Sequence, residues 1–162
     1  MPPSPELADH ELLALLEAQD SRIGFDSFDY DDADALGRDL VARAIADQLP
    51  ITVAILFGEQ RVFHAARPGT SADNDDWLSR KARVVARFNA PSLLVGARFR
   101  SAGVDFHQVT GLDPARYAAA GGGFPLRVNG SLVGFVGVSG LAERDDHDLV
   151  VAALEAARSR AA

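Results

Sequence analysis

Apolar residues recur along the chain with two different periods, and these mark out most of its elements. Leu12, Leu13, Leu15 and Leu16 form a stripe on a helix that starts at Ser4-Pro5-Glu6 and ends near Asp20, with Ser4 as cap and Pro5 at the first helical position. Ala33, Leu36, Leu40, Val41, Ala44, Ile45 and Leu49 follow the 3.6-residue spacing of a second helix, capped by Asp31 or Asp32 and stopped by Pro50. Ile51–Phe57 is a continuous β-branched and apolar run, which predicts a strand covered on both faces. Gly58-Glu59-Gln60 then turns the chain into a second strand, Arg61–Ala66.

Arg67–Asp76 is polar and predicts a loop, with Asp73 capping a third helix through Phe88 whose Trp77, Val84, Val85 and Phe88 face the core. Residues 92–103 fit helix better than strand, although Gly96 weakens both. Asp113-Pro114 predicts a short helix that Gly121 ends. Phe124–Val128 and Ser131–Val138 are strands joined by Asn129-Gly130, the pair that a type I′ turn favours because both central residues need positive φ. A last helix, Glu143–Arg158, buries Leu149, Val150, Ala153 and Leu154. Tight turns between strands require antiparallel pairing, so the pattern predicts a single α+β domain: an antiparallel sheet flanked by helices.

Composition narrows the setting. The 162 residues suit one domain, and 48% apolar content supplies a core without staples. With no Cys there are no disulfides and no thiolate chemistry, which suits the cytoplasm. The opening Met1–Pro5 does not read as a signal peptide, and no apolar run reaches the roughly 18 residues of a membrane span. A formal charge of −7 argues against nucleic acid and anionic membrane as partners.

Several residues could carry chemistry. Gly121-Gly122-Gly123 precedes a strand, and Gly134, Gly137 and Gly140 recur every third residue, so neither set matches a nucleotide loop, which must follow a strand and open a helix. These glycines either let a bulky side chain approach or make room for a flat ligand. Ser139-Gly140 is either a plain turn or a pair of N–H groups offered to an anion. Arg80, Arg83 and Arg87 share a helix face, an arrangement that helix dipole preference only partly explains and that an anionic ligand or a second subunit would relieve. His64 lies on the second strand. His147, in Asp145-Asp146-His147-Asp148, is either part of a solvated helix start or a metal or iron-porphyrin contact. No paired-ligand spacing supports a closed metal site, and no nucleophile elbow supports a triad of Ser139, His64 and Asp145. Catalytic residues stay unassigned.

Phe25-Asp26-Ser27-Phe28, Phe63-His64 with Pro68-Gly69-Thr70, Asp73–Trp77 with Arg80-Lys81, Gly122-Gly123-Phe124-Pro125, Val138-Ser139-Gly140-Leu141 and Asp146-His147 occur together and in order. This set resembles an uncharacterised UPF-type branch of the haem-degrading domain family, whose relatives are GlcG-like and HbpS-like proteins. The resemblance divides the chain into an N-terminal helix and connection, residues 1–24, and a family domain, residues 25–162. It implies a profilin-like fold, homo-oligomers, and binding of haem or another tetrapyrrole. The wider family's Lys-Ala-x-Thr-Ala pattern is here Lys81-Ala82-Arg83-Val84-Val85, so a contact made by that Thr hydroxyl does not carry over.

The expectation is therefore an oligomeric small-ligand-binding protein, with haem as the possible cofactor and His64, Arg80, Arg87, Ser139 and His147 as pocket residues. The arginines suit propionates, and a His suits iron. Two alternatives remain: an enzyme that degrades haem with an external reductant, and a structural protein whose arginine helix serves self-assembly.

Overall fold

The computed structural model describes residues 7–161. In chain order, α1 is Asp9–Arg22, α2 Tyr30–Ala46, β1 Thr52–Phe57, β2 Gln60–Ala66, α3 Ala72–Phe88, α4 Ser92–Ser101, α5 Phe106–Thr110, β3 Gly123–Val128, β4 Ser131–Ser139 and α6 Glu143–Ala161. The Ser4-Pro5 helix start lies outside the described residues.

The four strands form one antiparallel sheet in the order β2-β1-β4-β3, so two hairpins meet through β1 and β4. This is the α+β architecture that the turn chemistry predicted. Strand alternation divides β1 between two cores. Val53 and Ile55 join Leu36 and Leu40 of α2 and Val150 and Leu154 of α6 on one face, whereas Ala54 and Leu56 meet Leu78, Val85 and Ala82 of α3 on the other. A third cluster, with Leu16 of α1, Leu93 and Leu94 of α4 and Phe106 of α5, packs outside the sheet. Asn129 and Gly130 have φ of 49° and 79°, so this hairpin turns as its sequence demands. Among the described residues no helix is long and apolar enough to cross a membrane.

Four boundaries differ from the sequence pattern, each for a local reason. Asp29, not Asp31 or Asp32, caps α2, because its carboxylate accepts the Asp32 N–H at 2.9 Å while Asp32 accepts the Asp29 N–H at 2.8 Å. That helix stops at Ala46, before Gln48 turns at a φ of 53°, yet Leu49 still packs on the core. Ser71 caps α3 in place of Asp73, in the same reciprocal way with Asn74, which shortens the polar loop. Asp113-Pro114 makes a single turn and no helix. Its carboxylate takes the Ala115 N–H at 2.9 Å, after which the chain runs along α3, held by Ala118 N–H to the Arg80 carbonyl at 3.3 Å. The short helix of this region is α5, capped by Asp105.

The strand glycines are accounted for by packing. Gly123 and Gly137 are cross-strand partners, and a Cβ on either would collide with the ring of Phe135. The flat space they provide is filled from within the chain.

Candidate functional site

Two adjoining hollows flank the N-terminal half of α3. The first holds about 350 Å³ and is bordered by Asn74, Trp77, Lys81, Ser139, Glu143 and Asp146. The second, also about 350 Å³, is walled by Trp77, Phe99 and Tyr117 with Arg80, Arg100 and His107. Trp77 and Ala120 belong to both.

The floor of the first hollow is a buried ion pair. Lys81 Nζ lies 3.3 Å from Asp146 Oδ2 and donates to the Val138 carbonyl at 3.0 Å. Asp146 also accepts the Gly140 N–H at 3.3 Å and the Leu141 N–H at 2.9 Å. The N–H groups of Gly140 and Leu141, at the turn that Ser139-Gly140 opens, are thus satisfied by a carboxylate of the same chain. Burial disfavours both charges: it pushes the Asp146 carboxyl up to about 6 against the pull of Lys81, and it lowers the Lys81 ammonium against the pull of Asp146. Perturbed, paired titratable groups lining a cleft are a feature of many functional sites, and of structural ion pairs too.

Both residues appear in the family motifs but neither was among the expected pocket residues, although both left a signal. Lys81 falls in the apolar stripe of Leu78, Val84 and Val85, and Asp146 precedes Leu149, Val150, Ala153 and Leu154 at the same helical spacing. A charge in an apolar stripe has to be paired.

Of the five residues singled out from sequence, Ser139 and Arg80 border these hollows. Ser139 Oγ accepts from Asn74 Nδ2 at 3.3 Å. Arg80 lies over the Trp77 ring, 3.9 Å from its centroid, and pairs with Asp76 at 2.9 Å. The other three lie elsewhere. His64 is exposed on β2, with Nε2 2.6 Å from Asp75 Oδ1. Arg87 is exposed, 6.0 Å from the Tyr117 ring centroid. His147 belongs to the interior, 1% exposed, with Nε2 2.7 Å from Gln19 Oε1 and its ring 6.1 Å from that of Phe124. Burial lowers its imidazole to about 4, so it is neutral at pH 7 and the start of α6 is not the solvated segment it resembled. The arginine face of α3 is likewise satisfied locally: Arg80 by Asp76, Arg83 by the Arg116 carbonyl at 3.1 Å, and Arg87 against Tyr117.

A larger groove of about 550 Å³ lies on the same side of the sheet, floored by Leu56, Val85 and Phe135 with Arg61 and Arg83 in its lining. Among the described residues, no group of three or more His, Asp or Glu side chains is placed to hold a metal ion.

The model of the family described as haem degrading protein HbpS-like matches residues 28–155. The chain belongs to the HbpS-like family. This HbpS-like protein is 51% identical to a UPF0303 protein of Streptomyces avermitilis over 141 residues, 86% of each chain. It is 49% identical to a UPF0303 protein of Streptomyces coelicolor over 144 residues, 88% of this chain and 91% of that one. Among solved structures, Ybr137w superposes with a TM-score of 0.81 at 26% identity, covering 90% of this chain and 87% of the other. The complex of PduOC with haem superposes at 0.67 and 22% identity, covering 80% and 94%, and so shares the fold of this HbpS-like protein.

Proposed function

We propose that this protein binds a small, flat, anionic ligand, haem or a related tetrapyrrole, in the hollow walled by Trp77, Phe99 and Tyr117. The observation that carries this reading is the donor set there: three aromatic side chains, the guanidinium groups of Arg80 and Arg100, and the imidazole of His107 border one depression. Aromatic walls suit a macrocycle, arginines suit its propionates, and imidazole suits iron. The residues present therefore fit the group, and PduOC, a protein of the same fold, is known in complex with haem.

Arg80 and Arg100 are engaged with Asp76 and with Glu143, the latter at 3.8 Å. The Arg100 pair is exposed on both sides and worth about 0–1 kcal/mol, so a propionate can take over that guanidinium at little cost. Trp77 and Tyr117 would shield a bound macrocycle from water, and Glu143, which also accepts the Gly121 N–H at 3.1 Å, ties the hollow to the glycine segment. Bound haem would supply an iron centre capable of redox chemistry. Ser139 borders the adjoining cavity and completes the neighbourhood on that side; His64, Arg87 and His147 lie outside both hollows. The protein would work as a homo-oligomer in the cytoplasm, the setting that suits a chain without Cys.

Haemin titration tests the proposal. The expected result is a shifted Soret band at micromolar haemin, with quenching of the fluorescence of Trp77, the sole tryptophan. Arg80→Ala combined with Arg100→Ala should weaken binding about tenfold, as expected for two charge-assisted contacts. An unchanged spectrum at micromolar haemin would refute it. Adding ascorbate to the complex distinguishes a binder, whose Soret band persists, from a haem-degrading enzyme, whose band decays.

A further inference from the structure

We infer that His107 is the side chain of this protein built to ligate iron, through Nε2, an inference that rests on tetrapyrrole binding in the aromatic hollow.

Histidine ligates through a neutral ring nitrogen, and the hydrogen bond at the other nitrogen decides which one is available. His107 Nδ1 lies 3.0 Å from the Leu112 carbonyl oxygen. A carbonyl only accepts, so Nδ1 carries a hydrogen, and in the neutral ring Nε2 then carries the lone pair. Among the described hydrogen bonds none engages Nε2, which lies on the opposite side of the ring from Leu112. This is the pattern in which a backbone carbonyl fixes the tautomer of a ligating imidazole.

The carbonyl is itself held in place. Gly111 turns with a φ of 70° and donates its N–H to the His107 carbonyl at 2.9 Å. Thr110 Oγ1 donates to the Phe106 carbonyl at 2.7 Å and accepts the Leu112 N–H at 3.2 Å. The imidazole packs edge-on against Phe106, with centroids 4.9 Å apart, and Phe106 is gripped by Phe88 at 5.7 Å and Phe99 at 5.1 Å. Ring orientation, tautomer and location in the hollow are therefore all set before any ligand arrives.

The other histidines lack this combination. His147 Nε2 is committed to Gln19 in the interior, His64 Nε2 is committed to Asp75, and His10 is exposed on α1. Ligation through His107 would need no proton to leave, because Nε2 would offer its lone pair to the iron while Nδ1 keeps its hydrogen, donated to the Leu112 carbonyl.

The test uses the full chain. In the apo protein, nitrogen-15 NMR of the imidazoles should show His107 as the tautomer protonated at Nδ1 and bare at Nε2. After haemin addition, the spectrum should report one imidazole ligand. His107→Gly should shift the Soret band and weaken haemin affinity at least tenfold, with millimolar imidazole restoring the original band. His107→Gln serves the same purpose if the glycine variant does not fold, while His64→Ala and His10→Ala should leave the spectrum unchanged. An apo His107 protonated at Nε2, or His107→Gly and His107→Gln complexes with the wild-type band, would overturn the assignment while leaving haem binding in place. Absence of any Soret shift in the wild-type protein would overturn both.

Discussion

Lys81 Nζ and Asp146 Oδ2 face each other across 3.3 Å with both side chains 3% exposed, and between them they tie α3 to the end of β4 and the start of α6. Breaking a buried pair strands the surviving charge, which typically costs about 3–5 kcal/mol. Asp146→Ala should therefore destabilise the protein by about that much in urea unfolding, since it also leaves the Gly140 and Leu141 N–H groups without their acceptor. Lys81→Met should cost less at pH 5 than at pH 8, because a carboxyl already raised to about 6 neutralises itself readily once its partner is gone. Equal losses at the two pH values would contradict the pairing.

His147 should make stability sensitive to acid. Its folded-state value of about 4 lies below the ordinary 6.5, so between these values the unfolded chain binds the proton and the folded chain does not. The stabilisation is complete above pH 6.5 and is lost as pH falls towards 4, by about 3 kcal/mol. Asp146 acts in the opposite sense: its raised value means that the folded state holds the proton more tightly between about 6 and 3.8, which offsets part of the loss. Replacing His147 and Gln19 together by Leu isolates the imidazole. The double variant should lose about 3 kcal/mol less than the wild type between pH 6.5 and pH 4, and parallel curves would exclude the assignment.

The glycines differ in what they tolerate. Gly130, with a φ of 79° and open space around it, should accept Ala at about 1 kcal/mol of backbone strain. Gly140, with a φ of 149°, faces the Pro50 carbonyl, which a Cβ would strike. Gly140→Ala adds a backbone clash to the strain and should cost about 3 kcal/mol or more, visible as a much larger drop in Tm.

Helix caps give a sharper contrast. Ser71→Ala and Asp29→Ala should each cost about 1 kcal/mol, whereas Asp73→Ala and Asp31→Ala, which lie inside the first turns, should cost only a few tenths from the helix dipole. Comparable losses at all four positions would argue against the assigned caps.

These contrasts indicate what could be read from the chain. Asn129-Gly130 announced its hairpin because a type I′ turn is decided by two adjacent residues, and the covered strand β1 was legible because its apolar run has no polar alternative. The caps were misplaced by two or three positions because several neighbouring Asp and Ser residues could serve, and only the backbone decides which does. Asp113-Pro114 carried the signal of a helix start but closed one turn. The arrangement of α3 against 111–118 uses the following carbonyls and amides instead. Lys81 and Asp146 are 65 residues apart, and Trp77, Phe99 and Tyr117 come from three separate segments, so neither grouping has a local pattern to find. The family motifs were legible as an ordered set, yet several of their residues proved to be internal: the strand glycines seat Phe135, and His147 bonds Gln19.

That last bond has a consequence for where the protein can be cut. Homology to the family model begins at residue 28, after α1 has ended. Yet Gln19 supplies the partner of His147, Asp20 holds Arg127 at 2.7 Å, and Leu16 closes the cluster under α4. A fragment trimmed to the matched span would keep every family motif downstream of it and still expose a buried imidazole, a guanidinium without its carboxylate and an open apolar seam. The shortest inheritable unit of this sequence is therefore not the shortest piece that can fold alone.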